Sequence, residues 1–461
     1  MPLFESLDPA FVARMRLLIG SEYAAFEAAL SEAPPVSIRL HPRKSQVITP
    51  GGDPIPWNKQ GLYLASRPSF TLDPVFHAGA YYVQEAASMF VSEVLRQTLY
   101  AAPLSHPLLA LDLCASPGGK STLLLDALPQ DGSLVVCNEA VKGRFAALEE
   151  NIEKWGYPNV ALTRADAADF AGLEADLVLV DAPCSGEGMF RKDPRARAEW
   201  SEAHAAFCAL RQARILRDAD AALRPGGLLI YSTCTFNPAE NEEMIALLRS
   251  EMGYEQLALE VPAQWGVVTT EGGLRFYPHC SRGEGFFIGA LRKRGTEGQG
   301  RGHENRRARA EFKRLTPLNR AQRQIAAPWL ATPDDYALYQ TPNQQILALP
   351  QVLLPLYARL DARIKEKRFG LDMGQIKGVE LAPAHALALS LALHAEIPRL
   401  ALNQEQALRF LRKEAMAPPP AAPVGWALAE YKGLGIGWVK VLPGRLNNYL
   451  PASRRILMHA D

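Results

Sequence analysis

The sequence predicts an α/β fold: an open, mostly parallel sheet with helices on both faces, carrying smaller α+β units at either end. Three observations predict it. Residues 107–294 alternate apolar, β-rich runs with stretches of helical periodicity. Polar and glycine-rich segments follow several of those runs, where open parallel sheets hold their ligands. The chain, at 461 residues, is also longer than one hydrophobic core organises, so it divides into two or three domains.

Residues 1–104 form a first, mixed unit with a helical start over 8–29 and a short strand over 36–40. The central domain, 105–294, reads as strands at 108–114, 134–139, 160–164, 177–181, 228–232 and 286–291. Helices fit between them at 120–128, 142–155, 204–223 and 239–251. Strand–helix–strand units cross over right-handedly and lay their strands parallel. Residues 295–328 read as a basic linker, in which Arg and Lys outnumber Glu297, Glu304 and Glu311. Such a stretch is either a solvated tether or an arm that touches phosphates. The third region, 329–461, is broken by Pro418, Pro419, Pro420 and Pro423 before a glycine-rich, strand-like segment at 433–451. Its most apolar part, 384–395, reads as a buried helix, because it is too short to span a bilayer and carries His385 and His394. The chain opens with Glu5 and Asp8 where an export signal has bases, so a cytoplasmic protein without membrane contact is expected.

A hydrophobic content of 48% with 21% charged residues is that of a globular protein. The net charge of +1 carries no overall nucleic-acid signature, so any such contact must come from local patches. The cysteines stand at 114, 137, 184, 208, 234 and 280, with no C-x-x-C pair. Dispersed thiols in a large cytosolic chain argue for catalysis over a disulfide framework, and no metal site is expected.

The segment 109–122, LALDLCASPGGKST, closes one strand and opens a helix. Gly118 and Gly119 let backbone approach a ligand, and the free N–H groups of the following helix point into that site. Gly119, Lys120 and Ser121 imitate the end of a phosphate loop, but that loop needs a glycine where Cys114 stands. G-x-G-x-x-G is absent as well, so neither ATP nor NAD is supported. Glu139, twenty residues beyond Gly119, ends the second strand and is placed to accept from ribose hydroxyls. Asp166 follows the third strand, where it can hold a base or simply cap a helix.

Two further strands run into DAPCSGEG (181–188) and STCTFNPAENE (232–242). Cys184 and Cys234 therefore both lie just past the carboxyl ends of strands and should meet in one cleft near the glycine loop. A free cysteine is most often a small buried hydrophobe. Two of them at strand ends, beside Asp181, Pro183, Gly186, Ser232 and Asn237, argue for chemistry instead.

These segments resemble the RNA cytosine-5 methyltransferases of the NOL/NOP2/sun type. CASPGGKS (114–121) is similar to that family's cofactor motif, DAPCSGEG to its motif with the accessory cysteine, and STCTFNPAENE to its motif with the nucleophile. HAGAYYVQEAASM (77–89) and PHCSRGEGFFIG (278–289) also look like family motifs, so the match covers roughly 30–294. The resemblance implies a Rossmann-like class I methyltransferase sheet behind an N-terminal RNA-binding, RRM-like unit. It implies S-adenosylmethionine bound by Cys114, Ala115, Ser116, Pro117, Gly118, Gly119, Lys120, Glu139, Asp166 and Asp181. It makes Cys234 the nucleophile, Cys184 the residue that assists release, and Asp181 the contact to the target base. Carbon 5 of cytosine is too electron-poor to attack a methyl sulfonium, and a thiolate adding to carbon 6 makes it nucleophilic. The basic linker and the segment GWVKVLPGRLNNYLP are similar to the tail of the bacterial RsmF-type branch, with its PUA-like C-terminal domain. That branch implies 16S rRNA or the small ribosomal subunit as partner and a monomer as the working state. A tRNA methyltransferase and a catalytically silent assembly factor are the alternatives.

Overall fold

The computed structural model describes residues 7–48, 51–99, 107–295, 311–420 and 422–459. The boundary expected at 104/105 and most of the basic stretch, 296–310, lie outside the described residues.

The first unit holds β1 (Val36–Leu40), β2 (Asp53–Ile55), β3 (Asn58–Leu64) and β4 (Tyr81–Val83) in the antiparallel order β2-β3-β1-β4. This is the order of a β-α-β-β-α-β unit, with its crossovers cut to single turns at Ser45–Val47 and Pro74–His77. The helical start is two helices, Pro9–Ile19 and Tyr23–Leu30, separated where Gly20 takes φ +55°. Their apolar faces do not pack on their own sheet. Phe11, Met15, Phe26 and Leu30 join a cluster with Phe190, Trp200, Phe236 and Tyr277 of the central domain.

The central strands are β5 (Leu108–Asp112), β6 (Ser133–Asn138), β7 (Val160–Thr163), β8 (Ala175–Asp181), β9 (Leu223–Thr233), β10 (Tyr254–Gln256), β11 (Val267–Thr269), β12 (Leu274–Phe276) and β13 (Phe286–Lys293). The sheet order is β11-β12-β13-β9-β8-β5-β6-β7, with β10 against β13. β5 to β9 pair parallel, and β13 returns antiparallel to β9. Chain order reverses between β5 and β8, which opens a crevice at their carboxyl ends. All residues of β5 and β6 are buried, as a parallel sheet covered on both faces requires.

Each terminal unit completes one of those faces. Trp57, Phe90 and Val94 join Leu124, Leu148 and Ile152 on one side. Leu353, Tyr357, Leu360 and Phe369 join Ile215, Leu216, Ile245 and Leu248 on the other. The short strand Lys367–Phe369 also pairs antiparallel with β7, as the tenth strand of the sheet. The region beyond 329 is thus built into the central core.

Two expectations are corrected here. The linker is structured from residue 311 onward: Thr316–Pro317 pairs with Tyr336–Gln340, and Arg320–Ala326 is a helix with a capping box from Asn319 and Gln322. Phe312 and Leu315 pack against the central core, apolar anchors hidden among the arginines. The stretch 384–395 is helical only over His385–Leu389. Ser390 turns extended, and the Leu391 N–H donates to the Gly156 carbonyl at 3.0 Å, so the backbone serves a contact to the central domain. The glycine-rich segment forms the strands Leu434–Leu442 and Arg445–Asn448, joined through Gly444 at φ +76°. Among the described residues no helix is long and apolar enough to cross a membrane.

Lys44 pins the three regions together. Its ammonium is buried and donates to the carbonyls of Ala78 (3.1 Å), Lys154 (2.7 Å) and Leu389 (2.7 Å). Burial pulls its pKa down to about 7. Between that value and the ordinary 10.5 the unfolded chain binds more protons, so this group makes stability rise with pH across that window. The stability of the wild type relative to Lys44→Met is expected to grow from pH 7 to pH 9.5, by at most about 1.4 kcal/mol per unit. Urea titrations of both proteins at the two pH values check the sign.

Candidate active site

Cys184 and Cys234 follow the ends of the neighbouring parallel strands β8 and β9, and their sulfurs lie 3.1 Å apart. Both are free thiols and only partly buried. The Gly188 N–H donates to the Cys234 carbonyl at 2.8 Å, which locks the two loops together through backbone. Two neighbouring thiols cannot both ionise without strong repulsion. The hydrogen bond with Cys234 and then burial hold the Cys184 thiol well above its ordinary value, so it keeps its proton beside its partner.

Asp181 ends β8. Its carboxylate meets the Lys120 ammonium at 2.8 Å and accepts from the Ser232 hydroxyl at 2.8 Å. Burial pulls the Lys120 ammonium down, but Asp181 and the neighbouring Cys234 more than offset it, and its pKa is raised overall. A fixed positive charge therefore stands beside the thiols. Lys120 reaches them from the start of the helix Gly119–Ala127.

The loop ahead of that helix is held from three sides. The Ala115 N–H donates to the Asn138 carbonyl at 2.8 Å, and the Ser116 hydroxyl donates to the Arg144 carbonyl at 2.9 Å. The Pro117 carbonyl accepts from Asn151 at 2.8 Å and from the Tyr82 hydroxyl at 3.3 Å. Gly118, at φ +110°, turns the chain into the helix in a conformation that side chains rarely adopt. Glu139 is buried; one oxygen accepts from the Val141 N–H at 2.8 Å. Its other oxygen has no hydrogen-bond partner, only Arg144 at 3.6 Å. A buried carboxylate oxygen left open beside a glycine loop fits a ligand with hydroxyl groups.

The structure thus brings Cys184, Cys234, Asp181 and Lys120 into one cluster, with the 114–120 loop leading into the helix that carries Lys120. Asp166 stands at the end of β7, half-exposed. It caps the turn Ala167–Phe170 and lies 3.4 Å from Arg214. Sequence reasoning missed three residues. Asp112, fully buried, accepts from the Ser121 hydroxyl at 2.6 Å and leaves one oxygen unpartnered. Burial pushes its pKa up to about 7. An acid closing the apolar run LLALD was the available signal. Asn138 knits the ends of β5 and β7, donating to the carbonyls of Leu113 (3.1 Å) and Ala165 (3.0 Å). Tyr82, within the segment 77–89, braces the loop through its hydroxyl on the Pro117 carbonyl.

A glycine cradle and two facing thiols at the reversal point of this sheet place the central domain among the Rossmann-like methyltransferases. Comparison with known proteins carries this further. Residues 101–292 match the family model for 16S rRNA methyltransferase RsmB/F. Residues 7–86 match the N-terminal domain of 16S rRNA methyltransferase RsmF, and 398–456 match its PUA domain. The chain is 32% identical to ribosomal RNA small subunit methyltransferase F of Shewanella loihica over 87% of its own length and 83% of the relative's. With the protein of the same name from Erwinia tasmaniensis the identity is 29%, covering 96% of this chain and 95% of the relative. A methyltransferase homologue from Pyrococcus horikoshii superposes with a TM-score of 0.52 at 28% identity, over 62% of this chain and 95% of that one. The chain belongs to the 16S rRNA methyltransferase RsmB/F family.

Proposed function

We propose that the protein is an RNA (cytosine-5)-methyltransferase that uses S-adenosylmethionine and acts on 16S rRNA. The observation that carries this reading is the pair of sulfurs 3.1 Å apart, beside the Asp181–Lys120 ion pair. Bound in the 114–120 loop, S-adenosylmethionine supplies an electrophilic methyl group. Glu139 presents its open carboxylate oxygen to the ribose hydroxyls. Cys234 adds as thiolate to carbon 6 of a cytosine taken out of its stack. Asp181 accepts from the exocyclic amine, and the Lys120 ion pair holds that carboxylate in position. After carbon 5 is methylated, Cys184 gives its proton to solvent and, as thiolate, takes the carbon 5 proton; the carbon 5–carbon 6 double bond reforms and the Cys234 thiolate leaves. The paired thiols beside the loop support catalysis over a silent assembly factor.

Bisulfite sequencing of 16S rRNA and of tRNA, with and without the protein, tests this. A protein-dependent 5-methylcytosine in 16S rRNA is expected, and one found only in tRNA would overturn the choice of substrate. Glu139→Ala is expected to weaken cofactor binding by about 1.5–3 kcal/mol, or roughly ten- to hundredfold in Kd. Turnover at saturating cofactor should be little changed. Calorimetric titration with S-adenosylmethionine reads the first effect.

A further inference from the structure

The two thiols are aligned by residues that touch neither sulfur. Glu240 and Asn241 follow one another at the end of the Cys234 loop, and both are fully buried. One Glu240 oxygen accepts from the Ser185 N–H at 2.9 Å and from Gln212 Nε2 at 2.8 Å. The other accepts from the Ser185 hydroxyl and, at the longer distance of 3.4 Å, from the Thr235 hydroxyl; those two hydroxyls lie 2.9 Å apart. Gln212 Nε2 in turn donates to the Pro183 carbonyl at 3.1 Å. The residues on both sides of Cys184 are therefore tied to Glu240. Asn241 does the same for Cys234: its Oδ1 accepts from the Thr233 hydroxyl at 2.6 Å, and its Nδ2 donates to the Thr235 carbonyl at 2.9 Å.

Among the described residues no basic side chain pairs with Glu240. Neutral donors alone hold it, and burial raises its pKa. A buried carboxylate without a counter-ion is costly, and an apolar residue would fill the same space more favourably. Asn241 also breaks the helix, at φ −118° and ψ −90°, leaving a 3₁₀ turn on one side and the helix Glu242–Glu251 on the other. That break lets consecutive side chains divide their shorter bonds, Glu240's going to Ser185 and Gln212 and Asn241's to Thr233 and Thr235.

We propose that Glu240 and Asn241 are positioning residues that set the two thiols for separate steps: Asn241 aims Cys234 for attack, and Glu240 aims Cys184 for release. The proposal rests on the reading above. Attack forms the Cys234 sulfur–carbon 6 bond. In release a base takes the carbon 5 proton, that electron pair forms the carbon 5–carbon 6 double bond, and the sulfur–carbon pair returns to Cys234. A loosened Cys184 loop should slow only the second step.

The test uses the full chain and an rRNA that the wild type methylates. Glu240→Gln keeps the shape but sets an amide N–H₂ against the Ser185 and Gln212 donors. It should leave the first methyl transfer within about threefold of wild type and slow turnover at least about tenfold. KM should not change. A covalent protein–RNA adduct, seen on a denaturing gel, should accumulate although both cysteines are present. Asn241→Asp removes the donor to Thr235 and should slow adduct formation by a similar factor, with no adduct building up. Should Glu240→Gln fail to fold, Ser185→Ala removes fewer bonds and should show the same adduct to a smaller extent. Wild-type-like turnover without adduct, or equal slowing of attack and release in both variants, overturns the proposal. A wild-type protein that methylates no RNA overturns the functional reading itself, and this proposal with it.

Discussion

The Cys234→Ala protein is expected to bind RNA as the wild type does and to transfer no methyl group, a loss of at least about 10⁴-fold. Nothing nearby can replace the sulfur. Burial pushes the thiols of Cys114 and Cys137 far up, so both stay protonated and poorly nucleophilic. Cys208 is raised to about 11 for the same reason. Cys184 is close enough, but its own loop aims it from the neighbouring strand. The fold should survive, because the contact that locks the loops uses the Cys234 carbonyl, which alanine keeps. Tritiated methyl incorporation alongside filter binding of the same RNA checks both halves. A variant retaining more than about a hundredth of wild-type turnover would take the nucleophile's role away from Cys234.

That residue was legible in the sequence because its position follows from topology. An alternation of strands and helices implies a parallel sheet, a parallel sheet puts its ligands at the carboxyl ends, and Cys184, Cys234, Asp181 and Lys120 all lie there. What escaped reading depends on contacts between segments far apart in the chain. Lys367–Phe369 is three residues long and two of them are basic, so no pattern announces that it extends the central sheet. Phe11 and Phe26 have the spacing of any amphipathic helix, yet they pack behind both cysteine loops through Phe190 and Phe236. Nor does spacing show that Arg14 pairs at 2.6 Å with the buried Glu187, three residues beyond Cys184. Asp166 shows the opposite limit: the same carboxylate suits a ligand and a helix cap, and the cap it makes uses one oxygen without deciding the other role.

The Cys184→Ala protein is expected to trap its substrate. The first turnover should proceed, and the RNA should then stay bonded to Cys234, giving a stoichiometric gel-shifted adduct where the wild type shows little. The two sulfurs lie 3.1 Å apart. While the Cys234 sulfur is free beside it, Cys184 is kept protonated, chiefly through the hydrogen bond between them and then through burial. Once the Cys234 sulfur is bonded to carbon 6 it can no longer hold that charge. The largest of the influences that kept the proton on Cys184 is then gone, although burial still acts on it; on the proposed mechanism its thiol gives its proton to solvent and takes the carbon 5 proton. On the proposed mechanism, attack prepares the base for the step that follows it, and the base is not available too early to compete as nucleophile. Alanine leaves attack intact and removes the base. Cys184→Ser should trap the adduct too, since a serine hydroxyl does not ionise near neutral pH. Normal turnover by Cys184→Ala with no adduct on a denaturing gel would show that some other group accepts the proton, and this order of events would fall with it.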